Sequence, residues 1–342
     1  MNSIKEKLSG VFAIDAIPSE DDKLFPDDLR NNFMVNKTLL FVLIIITVIT
    51  GCTGERQPAV EQQSGEDTSI PFVDSPVVED GAIIQQISTG HAFTEGPVVD
   101  DSGNLYFVDI PFNTINKIDP DGVRSSFVRG SGCANGLAID SNGVLHACLN
   151  VDRCVVSIDS EGNYTVLADN YQGKKFNNPN DLWIDAKGGI YFTDPAYYLR
   201  LTKELDGEYV YYITPDRLSV MRVIDDTVQP NGIIGTPDNK LLYVADPGQR
   251  TIFRYTINED GTLSNKTEYV KSGSDGMTID SEGNIYLTGR GISVYNPNGT
   301  RIETISVPEG PSNLCFGGSD KKTLFITART SVYSLRMKVS GL

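Results

Sequence analysis

The amino-acid sequence predicts an all-β fold, a six-bladed β-propeller with a central metal site, on three observations. First, a phrase opening with an acid or an amide occurs six times. The copies are Glu95-Gly96-Pro97-Val98, Asn135-Gly136-Leu137-Ala138, Asn180-Asp181-Leu182-Trp183, Asn231-Gly232-Ile233-Ile234, Asp275-Gly276-Met277-Thr278 and Asn313-Leu314-Cys315-Phe316. Second, the heads recur at intervals of roughly 38 to 51 residues, the range in which internal repetition signals propellers or solenoids. Third, each head leads through a polar turn into an apolar strand-length run, such as Leu105-Tyr106-Phe107-Val108 or Leu242-Tyr243-Val244-Ala245. No unit carries a sustained helical stripe; the nearest is a short stretch around residues 198–205. A ring of six such units protects most sheet edges and brings six sequence-distant polar heads to one axis.

Taken in order, residues 1–33 read as upstream sequence ahead of the true start at Met34. Residues 34–51 have the layout of an export signal: Lys37, the apolar run Leu39–Thr50, then Gly51 before Cys52. The run is about a dozen residues, too short to span a bilayer by itself. Cys52 directly after Gly51 resembles a lipobox with Ile49-Thr50 in place of the commoner residues, which implies a lipidated mature N-terminus and a membrane-anchored lipoprotein of the bacterial cell envelope. Residues 52–81 are poor in large apolar side chains and rich in Glu, Gln, Ser and Pro, the composition of a flexible tether. Residues 82–338 form the propeller. Ala82–Ile87 is the expected closing strand, beside Ser331–Met337. Within each unit the runs after the head are inner strands, and later runs such as Thr114–Asp119 and Thr251–Thr256 are outer ones.

A formal net charge of −16 argues against a nucleic-acid partner, which calls for a basic footprint. Cys148 and Cys154 flank a predicted hairpin, and export would permit their oxidation; the alternative is buried thiols acting as small apolar residues.

Only two histidines occur, and no Cys/His set has zinc-ligand spacing. Oxygen donors are plentiful. Glu95, Asn180, Asn231 and Asp275 would make a hard, flexible set suited first to Ca²⁺, with Mg²⁺, Mn²⁺ or Zn²⁺ as alternatives. His91 is a candidate channel base or a strand-end residue. His146 takes the place of Tyr106, Tyr191 and Tyr286 in the repeat, which favours packing. Asp109, Asp194 and Asp246 recur at strand ends and read as architecture. Tyr197, Tyr198 and Arg200 lie in an insertion that would cap the substrate mouth.

These residues also carry a family resemblance. Phe93-Thr94-Glu95-Gly96-Pro97, Asn178-Pro179-Asn180-Asp181-Leu182, Gln229-Pro230-Asn231-Gly232 followed by Leu242-Tyr243-Val244-Ala245-Asp246, and Ser274-Asp275-Gly276-Met277 resemble the motifs of the SMP-30/gluconolactonase family. The similarity runs from about residue 83 to about 337, and Phe192-Thr193-Asp194-Pro195 points to its bacterial gluconolactonase-like branch. The resemblance implies a six-bladed propeller holding a divalent ion and hydrolysing a lactone or related ester. Carried over by position, Glu95, Asn231 and Asp275 would be metal ligands. Asn180 would be a fourth ligand or hold substrate, and Asp275 would also be the general base. A metal-bound carboxylate is a weak base, so water activated by the ion is the rival nucleophile. Asn135, Asn313 and Tyr197 complete the expected substrate-binding set.

Two departures bear on the substrate. The Glu-His-Gly of many bacterial relatives is replaced here by Leu149-Asn150-Val151, although the following Arg153 is kept. Asn178 stands where vertebrate-type members have an Arg. Besides lactone hydrolysis, two functions fit the same residues: an arylesterase or phosphotriesterase, and a non-catalytic binding propeller whose ion is structural. Fold alone does not separate them.

Overall fold

Strands with period-2 alternation bury both faces when each sheet is wedged between two others, and that is how this chain is arranged. The computed structural model describes residues 70–197 and 203–342. Leu39–Thr50, Cys52, Tyr198 and Arg200 lie outside the described residues, as do residues 52–69 of the predicted tether.

Six four-stranded antiparallel sheets follow one another along the chain, with one short hairpin, Asn170–Tyr171 with Lys174–Lys175, between the second and third. The first sheet runs Thr94–Val99, Leu105–Asp109, Thr114–Ile118 and Arg124–Arg129, each strand pairing with the next. The remaining inner strands are Ala134–Ile139, Leu182–Ile184, Ile233–Gly235, Met277–Ile279 and Pro311–Gly317. The sixth sheet is completed by the N-terminal strand Gln85–Thr89, antiparallel to Ser331–Arg336. The closing strand is therefore the expected one, displaced by a few residues toward the C-terminus. Closure ties the chain ends together and leaves the sixth sheet no missing strand.

Part of the predicted tether is packed. Val77 and Val78 are buried among the side chains of the fifth and sixth sheets, Val78 bridges Met337, and Phe72 donates its N–H to the Ala82 carbonyl. Residues 70–81 thus act as an apolar clasp beside the closing strand, because Phe72, Val77 and Val78 supply enough apolar surface to offset the cost of ordering them.

The core is divided into six inter-sheet layers. Val108 and Ile115 of the first sheet meet Leu137 and Val156 of the second. Further on, Phe192 and Tyr211 of the third sheet pack on Cys148 and Val155 of the second. The ring closes where Leu105 and Phe107 pack on Val332.

The same alternation excludes the Cys148–Cys154 bridge. Cys148 stands opposite Val155, and Cys154 opposite Leu149, so the two thiols lie on opposite faces of their sheet. Cys148 joins the layer toward the third sheet, Cys154 the layer toward the first. All four described cysteines are free thiols, and burial pushes that of Cys154 up to about 12.

Candidate active site

The inner strands of the first, second and sixth sheets begin with a register irregularity beside the head. In the first sheet Glu95 pairs with Val108 and Val98 with Tyr106, so three residues are matched by two across the ladder. The second sheet repeats this between Ala134 and Leu137. An extra residue of this kind re-aims a side chain, here toward the axis. The next position is crowded: the N–H of Gly136 donates to the carbonyl of Asn180 (2.7 Å), that of Gly232 to Asp275 (2.7 Å) and that of Gly276 to Ser312 (2.7 Å). A Cβ on Gly96 would collide with the Asn135 carbonyl, and Gly96 also has a positive φ of 49°. The glycine after the head is therefore a consequence of neighbouring sheets touching at the axis.

This hydrogen bonding corrects the alignment of the sixth unit. Ser312, not Asn313, accepts from the preceding unit's glycine, just as Asn180 accepts from Gly136. Asn313 is the counterpart of Asp181: both take the side-chain hydroxyl of a threonine on the adjacent strand at their backbone N–H, and both hold the next N–H with their own side-chain oxygen. The sequence offered an amide one residue from a serine, and residue type pointed to the wrong one.

Around the axis the heads are buried and unequal. Glu95, Asn180 and Asn231 are 4%, 5% and 6% exposed. Asn231 donates through Nδ2 to Asp275 Oδ1 at 2.7 Å and to the Tyr197 hydroxyl at 2.8 Å. Tyr197 therefore belongs to the site, where burial and the charge of Asp275 hold its phenol protonated. Asn180 is buried at its ring position, and its carboxamide makes no hydrogen bond among the described residues. The Asn313 carboxamide lies near Glu95 and Asp181 and favours the charged form of each, against the effect of burial. Asn135 contacts Asn150 at 3.4 Å, and Asn150 donates to the Pro179 carbonyl. Its substrate-binding role therefore stays an expectation from the sequence.

Burial raises the carboxylates of the channel, as it also raises the strand-end Asp194, to about 8. Glu95 is pushed well above the usual carboxylate range, by burial first and then by the charge of Asp275. Asp275 is pushed up to about 6 by burial, against the Asn231 hydrogen bond and the positive charge of Arg329. Asp181, which sequence reading passed over, is a third channel carboxylate. Burial pushes it up to about 7, against hydrogen bonds from the backbone of Leu182 and Ile233. The signal for it was present: Asp181 and Asn313 are polar where four other units have glycine, or leucine by the earlier alignment. Beyond Asp181 the channel opens at its far end into a cavity of about 670 Å³, lined by Val98, Trp183, Ile279 and Phe316.

The other sequence candidates fall into place away from the axis. His91 bonds Ser88 Oγ at 2.6 Å and lies 3.4 Å from Asp109. His146 contacts the turn carboxylate of Asp140 at 3.2 Å, as Tyr106 contacts Asp100 and Tyr286 contacts Asp280, so its repeat position explains it. Asp109, Asp194 and Asp246 accept backbone N–H groups of the segments that lead into the heads. Arg153 donates to the Phe176 carbonyl and pairs with Glu204 in the insertion.

The donor set suits a hard divalent cation. Glu95, buried, and Asp275, half-buried, repel each other, and a cation held between them with the Asn231 and Asn180 carboxamide oxygens would relieve that repulsion. Among the described residues no three His, Cys, Asp or Glu side chains cluster as ligands. The set is thus two carboxylates and two amides, with Asp181 one layer below.

A six-bladed propeller with an acid–amide ring at one end of its channel is a class of protein that places a small-molecule site on its axis. Comparison with known proteins narrows the class. The signature of the SMP-30/Gluconolactonase/LRE-like region matches residues 93–330, and the chain belongs to this family. A gluconolactonase of Zymomonas mobilis subsp. mobilis is 30% identical over 348 aligned positions, covering 90% of this chain and 97% of that one. Lactonase drp35 of Staphylococcus aureus is 30% identical over 234 positions, 63% of this chain and 69% of its own. The solved structure of a gluconolactonase from Xanthomonas campestris superposes with a TM-score of 0.72 at 27% identity, over 78% of this chain and 96% of that one.

Proposed function

We propose that the protein is a divalent-metal-dependent lactone hydrolase in which Glu95, Asn180, Asn231 and Asp275 hold the ion. Lactone hydrolysis is supported by the gluconolactonase and lactonase relatives. Metal dependence is supported by one observation above all: two mutually repelling carboxylates share a buried axial ring with two carboxamides. Ca²⁺ fits the oxygen-only donors best.

When bound, the cation would polarise the lactone carbonyl and lower the pKa of water beside it. The protein residues do the rest. Asn231 holds Asp275 in place and is itself held by Tyr197, so the carboxylate is fixed before substrate arrives. Asp275 would take a proton from the attacking water and return it to the ring oxygen as the lactone C–O bond breaks. Asn313, near Glu95, favours the charged form of that carboxylate. Tyr197 stands beside Asn231 at the mouth of the site.

The test is removal of metal from the purified protein with a chelator, followed by assay on sugar-acid lactones, acyl lactones and aryl esters. Lactone turnover should vanish and return with Ca²⁺. Undiminished turnover after complete removal would refute metal dependence, and preference for aryl esters would move the activity to that class. We further propose that the enzyme is tethered to the cell envelope through a lipid on Cys52, in keeping with Leu39–Thr50 and Gly51. An intact-mass measurement on membrane fractions should show a diacylglyceryl-type increment; an unmodified Cys52 in the mature chain rejects the tether.

A further inference from the structure

On one sector of the channel mouth arginines gather on an otherwise acidic molecule, with the Glu309 carboxylate held beside them by the Thr330 N–H and hydroxyl. At the end where the heads lie, the second and third strands of each sheet are joined by a turn. Three consecutive sheets place an arginine there: Arg250 before the strand Thr251–Ile257, Arg290 before Ile292–Tyr295 and Arg329 before Ser331–Arg336. All three are exposed, and none is in an ion pair among the described residues. In a chain with a net charge of −16, three unpaired guanidinium groups on one rim stand out. The arginine of the second sheet's turn, Arg153, is by contrast spent on Glu204 and on backbone carbonyls.

Arg329 is the member tied to the site. Its carbonyl accepts the N–H of Thr94, the residue before Glu95, at 2.8 Å, which fixes its backbone against the first head. Its guanidinium lies over the Phe93 ring, 5.4 Å from the centroid, and its charge reaches Asp275. Stacking leaves the planar fork of donors free at its edge, the geometry that matches a carboxylate or phosphate. The turn has two residues, Arg329 and Thr330, and Arg329 takes a positive φ of 47° at a place where glycine is the easy choice.

Building on the lactonase reading, we infer that Arg329, with Arg290 and Arg250 flanking it on the rim, selects lactones that carry an anionic group. The lactone carbonyl would face Glu95 and Asp275, and the anionic substituent would point back to the mouth and meet the Arg329 fork. Arg290 and Arg250 would raise the local concentration of such substrates, an effect that salt screens.

The experiment compares kcat/KM of the Ca²⁺-loaded enzyme for three lactones of one sugar framework: neutral glucono-lactone, its carboxylate-bearing aldaric counterpart and its 6-phosphate. One anionic lactone should exceed the neutral one by about tenfold at low salt, equivalent to about 1.4 kcal/mol, and which one does so distinguishes carboxylate from phosphate. In Arg329→Ala that ratio should fall to near one, mainly through KM, with Arg329→Lys in between, and high salt should shrink it in the wild type. An unchanged ratio in Arg329→Ala, or equal losses on all three substrates, would overturn the inference. If the wild type hydrolyses no lactone, the lactonase reading fails by itself. Calorimetric binding of gluconate, 6-phosphogluconate and neutral sorbitol to wild type and Arg329→Ala then decides: a roughly tenfold loss confined to an anion supports the rim site, and equal affinities refute it.

Discussion

The two ends of the inner strands are built on opposite rules. At the turn end four of the six units stay alike. Asp100, Asp140, Asp185 and Asp280 each accept two backbone N–H groups, two and four residues ahead, through the same oxygen. The second oxygen of three of them takes Tyr106, His146 or Tyr286 from the neighbouring strand. At the head end the units diverge into glutamate, asparagine, aspartate and serine. Repetition persists where the task is to close a turn and breaks where six side chains must make one asymmetric site. Divergence within a repeat is thus a better guide to chemistry than polarity alone.

The fifth unit puts both rules within a few residues, since Asp275 precedes the strand Met277–Ile279 and Asp280 follows it. Asp275→Asn should lower kcat/KM for a lactone by about 10²- to 10⁴-fold, the scale of losing a positioned acid–base group, while the β-type circular dichroism is kept. Glu95→Gln should behave alike. Asp280→Ala should do the reverse. Asp280 is fully buried and accepts from Glu282 N, Asn284 N, Asn284 Nδ2 and the Tyr286 hydroxyl, so its loss leaves several buried donors unmet. We expect a stability loss of about 3 kcal/mol in denaturant titration, with near-normal turnover per folded molecule. Unfolding of Asp275→Asn, or inactivity of folded Asp280→Ala, would erase the distinction between the ends.

Tyr197→Phe sharpens the head-end side. It removes one of the two acceptors of Asn231 Nδ2 and leaves Asp275 as the other. The expected effect is a drop in kcat of about three- to tenfold, the scale of one neutral hydrogen bond, with little change in stability. A rate equal to wild type would reduce Tyr197 to a wall of the mouth.

The difference between the ends also explains what could be read from sequence. The turn end was legible because identical physics writes identical residues: Asp-Ser-Gly-Asn at 101–104 and Ser-Glu-Gly-Asn at 281–284 announce the same turn. From it follow the number of sheets, their inner strands and the closure by an N-terminal strand. Glu95, Asn231, Asp275 and Tyr197 could be named as candidates because they stand at fixed offsets from those turns or in the insertion after the third inner hairpin. Three things were not. Ser312 was hidden because the sixth unit shifts its amide by one residue. Asp181 was hidden because it fills a position where other units have glycine, and only the contact between sheets explains that glycine. The opposed faces of Cys148 and Cys154 depend on register, which spacing in sequence does not report.

The smallest effect tests whether the turn end is truly equivalent around the ring. His146 stands where Tyr106 and Tyr286 stand and makes their contact, to Asp140. Unlike tyrosine, it titrates near neutrality. Burial lowers its pKa below the usual 6.5, and the Arg217 charge adds to this, while Asp140 opposes both. The folded state therefore binds its proton less readily than the unfolded chain. Stability is at its plateau above pH 6.5 and falls as pH drops from there to the folded-state pKa, below which the loss is constant. His146→Tyr should remove this component, because the phenol is neutral across the range. The wild-type-minus-variant difference in denaturant midpoint should shift against the wild type between pH 7.5 and pH 5. A difference that does not move with pH would mean that protonated His146 is fully compensated by Asp140, and that the second unit uses an ion pair where its neighbours use a neutral hydroxyl.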